Sequence, residues 1–380
     1  MFACVDCANP HTLRSGDKMK LGELVDIQTG KLNANAAVVN GKYPFFTTAQ
    51  EISRINTYSF DDEVVLVAGN GDLNVKYYNG KFDAYQRTYI LKKKDNKIIN
   101  MKYLYYFMEK YLEILRRQSI GCVIKYIKLE NLTEPEIYYP SIDTQTKIAK
   151  ILDKSTALIA KRKAQIAELD TLVQSVFLEM FGDPITNPKK LPKVELSELG
   201  IWKSGGTPSR ANKAFFTGNI PWITSGELET LYIEDSKEHI SEEAVQETAV
   251  KEIEIGSILL GMYDTAGLKS SITSEVVTCN QAIAFAKLDD DKVNTIFVYY
   301  CIQQQKSHLL KQQRGVRQKN FNLSMIKEIN VLYPNLNLQT QFAQIVEKIQ
   351  TQKSQLQQSL TELKIQHQAL MQRAFRGELV

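Results

Sequence analysis

The segment Ile142–Phe181 contains neither proline nor glycine, and its apolar residues recur alternately four and three apart. Ile148, Leu152, Ile159, Ile166, Leu169, Val173, Val176 and Met180 fall on that series, with Ser155 and Arg162 as exceptions. A spacing averaging about 3.5 residues puts these side chains on one seam of a long helix, the pattern of a coiled coil. At about 1.5 Å per residue, some forty residues make a rod of roughly 60 Å. A lone amphipathic rod of that length needs a partner for its seam. Near the other end of the chain, Phe342, Val346, Ile349, Leu356, Leu360, Leu363, Leu370 and Ala374 follow the same series, interrupted by Lys353 and His367.

The rods also resemble each other. LENLTEPEIYYPSIDTQTKIAKILDK (residues 129–154) aligns without a gap onto LSMIKEINVLYPNLNLQTQFAQIVEK (residues 323–348). Tyr139-Pro140 matches Tyr333-Pro334, and Gln145-Thr146 matches Gln339-Thr340. LVQSVF (residues 172–177) matches LMQRAF (residues 370–375) after four extra residues in the second copy. Four residues are close to one helical turn, so the seam keeps its face. The chain therefore reads as block, rod, block, rod, an internal duplication with a period near half its length.

That reading divides the 380 residues into a leader (1–18), a first block (19–141), a first rod (142–182), a linker (183–193), a second block (194–335) and a second rod (336–380). Pro184, Pro188 and Pro192 make the linker stiff and non-helical. YPFFTT from Tyr43, EVVLVAGNGD from Glu63 and DAYQRTYILKKK from Asp83 each read as a strand, and MKYLYYFMEKYLEILRRQS from Met101 as a helix. In the second block, IPWITS, GSILLGMYD and RGVRQKNFN stand where the first has YPFFTT, VVLVAGNGD and IGCVIKYIK. The blocks differ far more than the rods, as one scaffold carrying two different surfaces would. The expected fold class is α+β: two pseudo-symmetric globular blocks joined by two long helices packed as an antiparallel coiled coil.

The sequence carries little sign of catalysis. GNGD and SGGTP match neither GxGxxG nor GxxxxGK[ST]. His11, His239, His308 and His367 form no ligand pair, and no GxSxG elbow occurs. Cys4 and Cys7 form a CxxC without a second pair, so two free thiols are the simpler reading than zinc. No catalytic residue and no metal site is expected. A formal net charge of +4 permits a polyanionic partner without demanding one. Scattered, odd-numbered cysteines and apolar runs too short to cross a bilayer suit a cytoplasmic protein.

Binding chemistry is better represented. The first block offers Gly30, Lys31, Thr47, Thr48, Asn70, Asp72, Tyr85, Gln86, Arg87, Lys125 and Tyr126 in its loops. The second offers Thr207, Ser209, Arg210, Thr224, Ser225, Tyr263, Asn280, Gln281, Arg314, Arg317, Gln318, Lys319 and Asn320. Arg and Lys reach guanine edges or phosphates, and Asn and Gln reach adenine, so these are the types DNA recognition needs. Such residues also fill any solvated turn. At the seam, Arg162 and His367 sit where aliphatic residues are wanted; a snorkelling arginine and a tolerated histidine are the simpler reading beside a polar register lock.

The block-rod-block-rod order, the YP-x4-QT-x2-A repeat heading each rod, SGGTPSR, PWITSGEL and the terminal QRAFRGEL together resemble the specificity (S) subunit of Type I restriction–modification systems, over about residues 19–380. The resemblance implies that each block is a target recognition domain reading half of a split, asymmetric site in double-stranded DNA. It implies that the helical regions dock two methyltransferase (M) subunits, joined in restricting complexes by nuclease (R) subunits. The chain itself would hold no cofactor, S-adenosylmethionine being bound by the M subunits. The first block lacks the GGTP form, so its base contacts are the less defined. A rod of roughly 60 Å spans about 17 base pairs of about 3.4 Å, which implies an unread gap set by rod length. A stand-alone repressor-like DNA-binding protein and a structural coiled-coil adaptor are the alternatives.

Overall fold

The computed structural model describes residues 18–379 apart from 96, 98, 264–266 and 313–319. The chain divides into two compact units, one ending at residue 163 and resuming at 358, the other covering 164–357. Both boundaries fall inside long helices rather than where a block meets a rod.

The first unit contains β1 (Lys18–Lys20), α1 (Leu21–Leu24), β2 (Val25–Thr29), β3 (Tyr43–Phe46), β4 (Ser53–Ile55), β5 (Phe60–Ala68), β6 (Val75–Ala84) and β7 (Thr88–Lys93). It continues through α2 (Met101–Gln118), α3 (Glu130–Thr133), β8 (Glu136–Tyr138) and the first part of α4 (Ile142–Phe181). Six strands form a mixed sheet in the order β2-β7-β5-β6-β3-β4, in which only β3 and β6 run parallel. Alternation along β5 serves two cores. Val65 and Val67 join Tyr103, Leu104 and Met108 of α2, while Val64 and Leu66 join Phe46, Phe82 and Ile90 on the opposite face.

Two expectations need correction. Residues 83–94 are not one strand: β6 ends at Ala84 and β7 begins at Thr88. Thr88 N–H donates back to Tyr85 O (2.8 Å), closing a turn over Gln86 and Arg87, while Tyr85 N–H donates to Phe46 O (2.9 Å) and Gln86 N–H to Leu32 O (2.9 Å). Asn79-Gly80 lies inside β6, where Gly80 takes a positive φ of 130°. Lys18, assigned to the leader, is the first residue of β1 and pairs with Tyr138; the rest of the leader, with Cys4 and Cys7, lies outside the described residues.

The second unit repeats this plan. It holds the rest of α4, then β9 (Lys193–Glu195), α5 (Leu196–Leu199), β10 (Lys203–Ser204), β11 (Ile220–Ile223), β12 (Tyr232–Ile233), β13 (His239–Ile240) and α6 (Glu242–Glu247). There follow β14 (Ile258–Gly261), β15 (Ser270–Thr273), β16 (Thr278–Cys279), β17 (Ile283–Ala286), α7 (Thr295–Leu309), α8 (Leu323–Lys327), β18 (Asn330–Leu332) and the start of α9 (Leu336–Ala374). The pair β9–β18 answers to β1–β8. Trp222 and Ile223 of β11 lie parallel to Thr278 and Cys279, as Phe45 and Phe46 of β3 lie parallel to Asp83 and Ala84. Where the first unit has the continuous β6, the second breaks it into β15 and β16, in sheets ordered β10-β17-β14-β15-β12 and β13-β11-β16.

The QT repeat that heads each rod acts as a clamp. Gln145 is fully buried; its Oε1 accepts from Asn100 N–H (2.9 Å) and its Nε2 donates to Pro140 O (2.9 Å). Gln339 does the same with Asn294 N–H (2.9 Å) and Pro334 O (2.8 Å). Asn100 and Asn294 are the N-caps of α2 and α7, their side chains accepting from the first-turn amides. One glutamine thus ties the start of a rod to the start of its block's main helix.

Within each unit the two long helices run antiparallel. In the second, Asp170 pairs with Lys353 (2.5 Å) and, farther along α4, Phe177 and Phe181 pack on Phe342. In the first, Ile148 and Leu152 share a core with Met371 and Ala374 beyond the Ser155–His367 contact. Every residue of the predicted seam is buried or half-buried, whereas Leu158, Leu172, Leu178 and Ile365, off the seam, are exposed. His367 is more than tolerated: its Nδ1 lies 3.1 Å from Ser155 Oγ, so an exception on one seam meets an exception on the other. The LMQRAF match is likewise structural. Phe375 packs on Tyr103 (5.0 Å between centroids) as Phe177 packs on Phe297 (5.8 Å).

Candidate nucleic-acid interface

In the first unit, main-chain hydrogen bonds gather the candidate residues at one end of the six-stranded sheet. Gly30 N–H donates to Thr88 O (3.2 Å) and Gly69 N–H to Arg87 O (2.8 Å). Gly30 admits no side chain, because a Cβ there would overlap the Ala84 carbonyl. Asn74 Nδ2, buried, donates to Thr48 O (2.8 Å) and Asp72 O (2.9 Å), joining the loop after β3 to the loop after β5. Gly71 N–H donates to Lys125 O (2.9 Å), and Asn70 bridges to Tyr126. Lys31, Thr47, Thr48, Asn70, Asp72, Tyr85, Gln86, Arg87, Lys125 and Tyr126 therefore share one surface. Thr47, Thr48, Asn70 and Tyr85 are half-buried and the others exposed. Gln86 Nε2 donates to Asn33 Oδ1 and Gln50 Nε2 to Asp72 Oδ2, both at 3.0 Å, so two of the polar groups are already oriented. Lys76, whose Nζ donates to Ala49 O (2.7 Å), is held below the usual lysine range by burial.

The second unit assembles a different set on the same scaffold. Gly205 N–H donates to Ile283 O and Gly206 N–H to Cys279 O, both at 3.0 Å, and Asn280 N–H donates to Ile223 O (3.0 Å). A Cβ on Gly205 would overlap the carbonyls of Asn280 and Cys279, and one on Gly206 the main chain of Ala249 and Val250, which explains the double glycine of SGGTP. Thr207 Oγ1 donates to Gln281 Oε1. Met262 N–H donates to Ala282 O (2.8 Å), and Tyr263 bridges to Asn320. Thr207, Tyr263, Asn280, Gln281 and Asn320 thus lie together. Arg314, Arg317, Gln318 and Lys319 lie outside the described residues.

Several second-unit candidates are committed to the scaffold. The Arg210 guanidinium forms two bonds to Glu238 (2.9 and 2.6 Å) and lies over Phe216 (4.4 Å) and Trp222 (5.2 Å). The bond from Glu238 raises the arginine above its usual range, and the same bond lowers the carboxylate. Thr224 forms a capping box with Glu227 over the short turn Ser225–Glu227. Burial of Glu227 opposes its ionisation, but donors from Lys237 N–H, Thr224 and Ser236 outweigh it and hold the carboxyl below the usual range. Ser209 is exposed, and its carbonyl accepts from Asn212 N–H (3.1 Å). The polar reading passed over one feature of the first surface, the apolar residues Ile120, Val123 and Ile124 beside Lys125, all exposed. No composition signal distinguishes them from core residues.

Among the described residues no group of three or more His, Cys, Asp or Glu is placed to hold a metal ion, and no helix is long and apolar enough to cross a membrane.

The family model "Type I restriction modification DNA specificity domain" matches residues 16–170 and again 188–364. The chain belongs to this family. The two matches follow the duplication, each taking in one block of the specificity-domain pair. The EcoDI specificity subunit of Escherichia coli is 38% identical over 156 residues, 41% of this chain and 34% of that protein. The chain's match thus spans about a third of the length of that relative. A putative type I specificity subunit of Mycoplasma pneumoniae is 26% identical over 337 residues, 85% of this chain and 86% of its own length. The crystal structure of the S subunit of a Type I system from M. genitalium shares the fold at a TM-score of 0.63 and 16% identity, covering 97% of this chain and 98% of that one. A structure concerned with assembly and conformational transition of the type I R-M system gives 0.60 at 14% identity, covering 97% and 100%.

Proposed function

We propose that this chain is the DNA-recognition subunit of a Type I restriction–modification complex. Each block reads one half of a bipartite, asymmetric site in double-stranded DNA. The helical regions dock two methyltransferase subunits, which bind S-adenosylmethionine and transfer the methyl group, and nuclease subunits join where the complex restricts. The chain itself is non-catalytic, binds no cofactor and acts in the cytoplasm. The observation that carries this reading is the convergence of two dissimilar polar sets, Lys31 to Tyr126 in one unit and Thr207 to Asn320 in the other, at equivalent ends of one duplicated scaffold. Of these, Lys31, Gln86, Arg87, Lys125 and Gln281 are exposed and carry the donors that base edges and phosphates accept. Arg210 and Thr224 support the surface rather than read from it.

The test is genome-wide mapping of methylated adenines in cells that carry the methyltransferase with and without this chain. A split motif that appears only with the chain supports the reading. Sequence-selective DNA binding by the chain alone, with no co-purifying methyltransferase, would point to a repressor-like protein. Absence of any DNA binding would leave a structural adaptor.

A further inference from the structure

Residues 120–126 of the first unit form a closed finger. Ile120 N–H donates to Tyr126 O (3.0 Å) and Tyr126 N–H to Ile120 O (2.9 Å). Gly121 has a φ of 113°, and a Cβ there would overlap the Ile124 carbonyl, so the turn is tight and tolerates only glycine. The finger's base is braced on the loop after β5 by Gly71 N–H to Lys125 O (2.9 Å) and Ile127 N–H to Gly69 O (3.0 Å). Tyr89 Oη adds a bond to Ile127 O (3.3 Å). A finger held this way at its root presents its tip on the candidate interface itself. The tip is apolar: Val123 is 96% exposed and Ile124 60%. Apolar side chains scattered singly on a surface need no explanation. Here two adjacent branched aliphatic residues cap a braced turn between Asn70 and Lys125.

Val and Ile side chains carry no donor or acceptor, so they cannot read base edges by hydrogen bonding. In the major groove the one apolar group a base pair offers is the C5-methyl of thymine. Lys125, exposed beside the tip, supplies a cation for the flanking phosphates. We infer that Val123 and Ile124 are specificity-determining residues of the first block that read thymine methyl groups in the major groove. This rests on the DNA-recognition reading above and says how one of its two surfaces selects sequence.

The experiment uses the full complex with its methyltransferase subunits and the site found by methylation mapping. Each thymine of that site is replaced in turn by deoxyuridine, which removes only the methyl group. Wild-type complex should bind about fourfold more weakly for each contacted methyl lost, with the sensitive thymines confined to one half-site. The complex of the Val123→Ser/Ile124→Ser chain should bind the thymine and deoxyuridine duplexes equally and keep its selectivity at the other half-site. Because both side chains are exposed, its melting temperature should match wild type. Indifference of the wild-type complex to every methyl would overturn the inference. So would an unchanged deoxyuridine response in the variant, including the case where the variant instead loses its methyltransferase subunits and the tip proves to be a protein contact. A wild-type complex without sequence-selective methylation would overturn the broader reading as well, and is distinguished because no site then emerges from the mapping.

Discussion

Replacing Gln145 with methionine tests how the first block is fixed to its rod. The two side chains are both unbranched and of similar length, so the cavity at this fully buried position stays filled. The change removes the bonds to Asn100 N–H and Pro140 O, both at 2.9 Å, and supplies no replacement for either. A buried main-chain group deprived of its partner costs about 1–3 kcal/mol. Two such groups cost about 2–6 kcal/mol, offset by about 1 kcal/mol because a buried polar amide gives way to an apolar thioether. A net loss of about 2–3 kcal/mol, toward the lower end because the backbone relaxes, shifts the melting of a unit of this size by roughly 5–10 °C. Calorimetry on the intact chain measures the shift. Hydrogen exchange at the first turn of α2, whose N-cap is Asn100, should rise in parallel. Thr146→Ala is the control, since the bond that Thr146 Oγ1 accepts from Asn100 Nδ2 is long, at 3.4 Å, and its loss should be nearly silent. Gln339→Met should reproduce the effect in the second unit through Asn294 and Pro334. A shift below about 2 °C for both glutamine variants would refute the clamp, because the main-chain groups would then be satisfied without the amide.

Burial beside Ser155 holds the His367 imidazole below its ordinary value of 6.5, so the unfolded chain binds the proton more readily. The residue's contribution to stability is therefore complete above about pH 6.5 and falls away below it. Melting of the wild-type chain should drop between about pH 7.5 and 5.5 by more than that of His367→Leu, and equal slopes would contradict the assignment. Alanine at Arg314, Arg317 and Lys319 together should weaken binding of random duplex and lower the salt slope by up to about 2.7, at about 0.9 per phosphate contact, read by titration at several salt concentrations. An unchanged slope would remove that segment from the interface. Adding four residues, about one helical turn, to each of α4 and α9 should change the unread gap in the methylated motif and leave both half-sites intact. Altered half-sites would disprove rod length as the determinant.

The rods were legible because a helix writes its period locally: every aliphatic residue on the four-three series is withdrawn from solvent, and Leu158, Leu172 and Ile365, which break it, are exposed. The partner of each exception was not legible, since Ser155 meets His367 only through a register set between residues 212 apart. In the blocks, duplication identified the corresponding strands, but the turn that Thr88 N–H closes on Tyr85 O contains neither glycine nor proline, and the unbroken run through Gly80 rests on pairing with β5, so neither leaves a mark in local composition. Arg210 shows the same limit from the other side. By type it is a DNA-reading residue, and only the placement of Glu238, Phe216 and Trp222 shows its guanidinium already engaged. What links these cases is a division of labour between main chain and side chain. The loops of both surfaces are held mainly by main-chain bonds, Gly30 to Thr88, Gly69 to Arg87 and Gly71 to Lys125 in one, Gly205 to Ile283 and Asn280 to Ile223 in the other. Those bonds place no demand on the side chains at Lys31, Gln86, Arg87, Lys125 or Gln281. The exposed residues are thus free to differ between the units while the fold beneath them stays the same, which is the physical condition for one scaffold to carry two unlike readers.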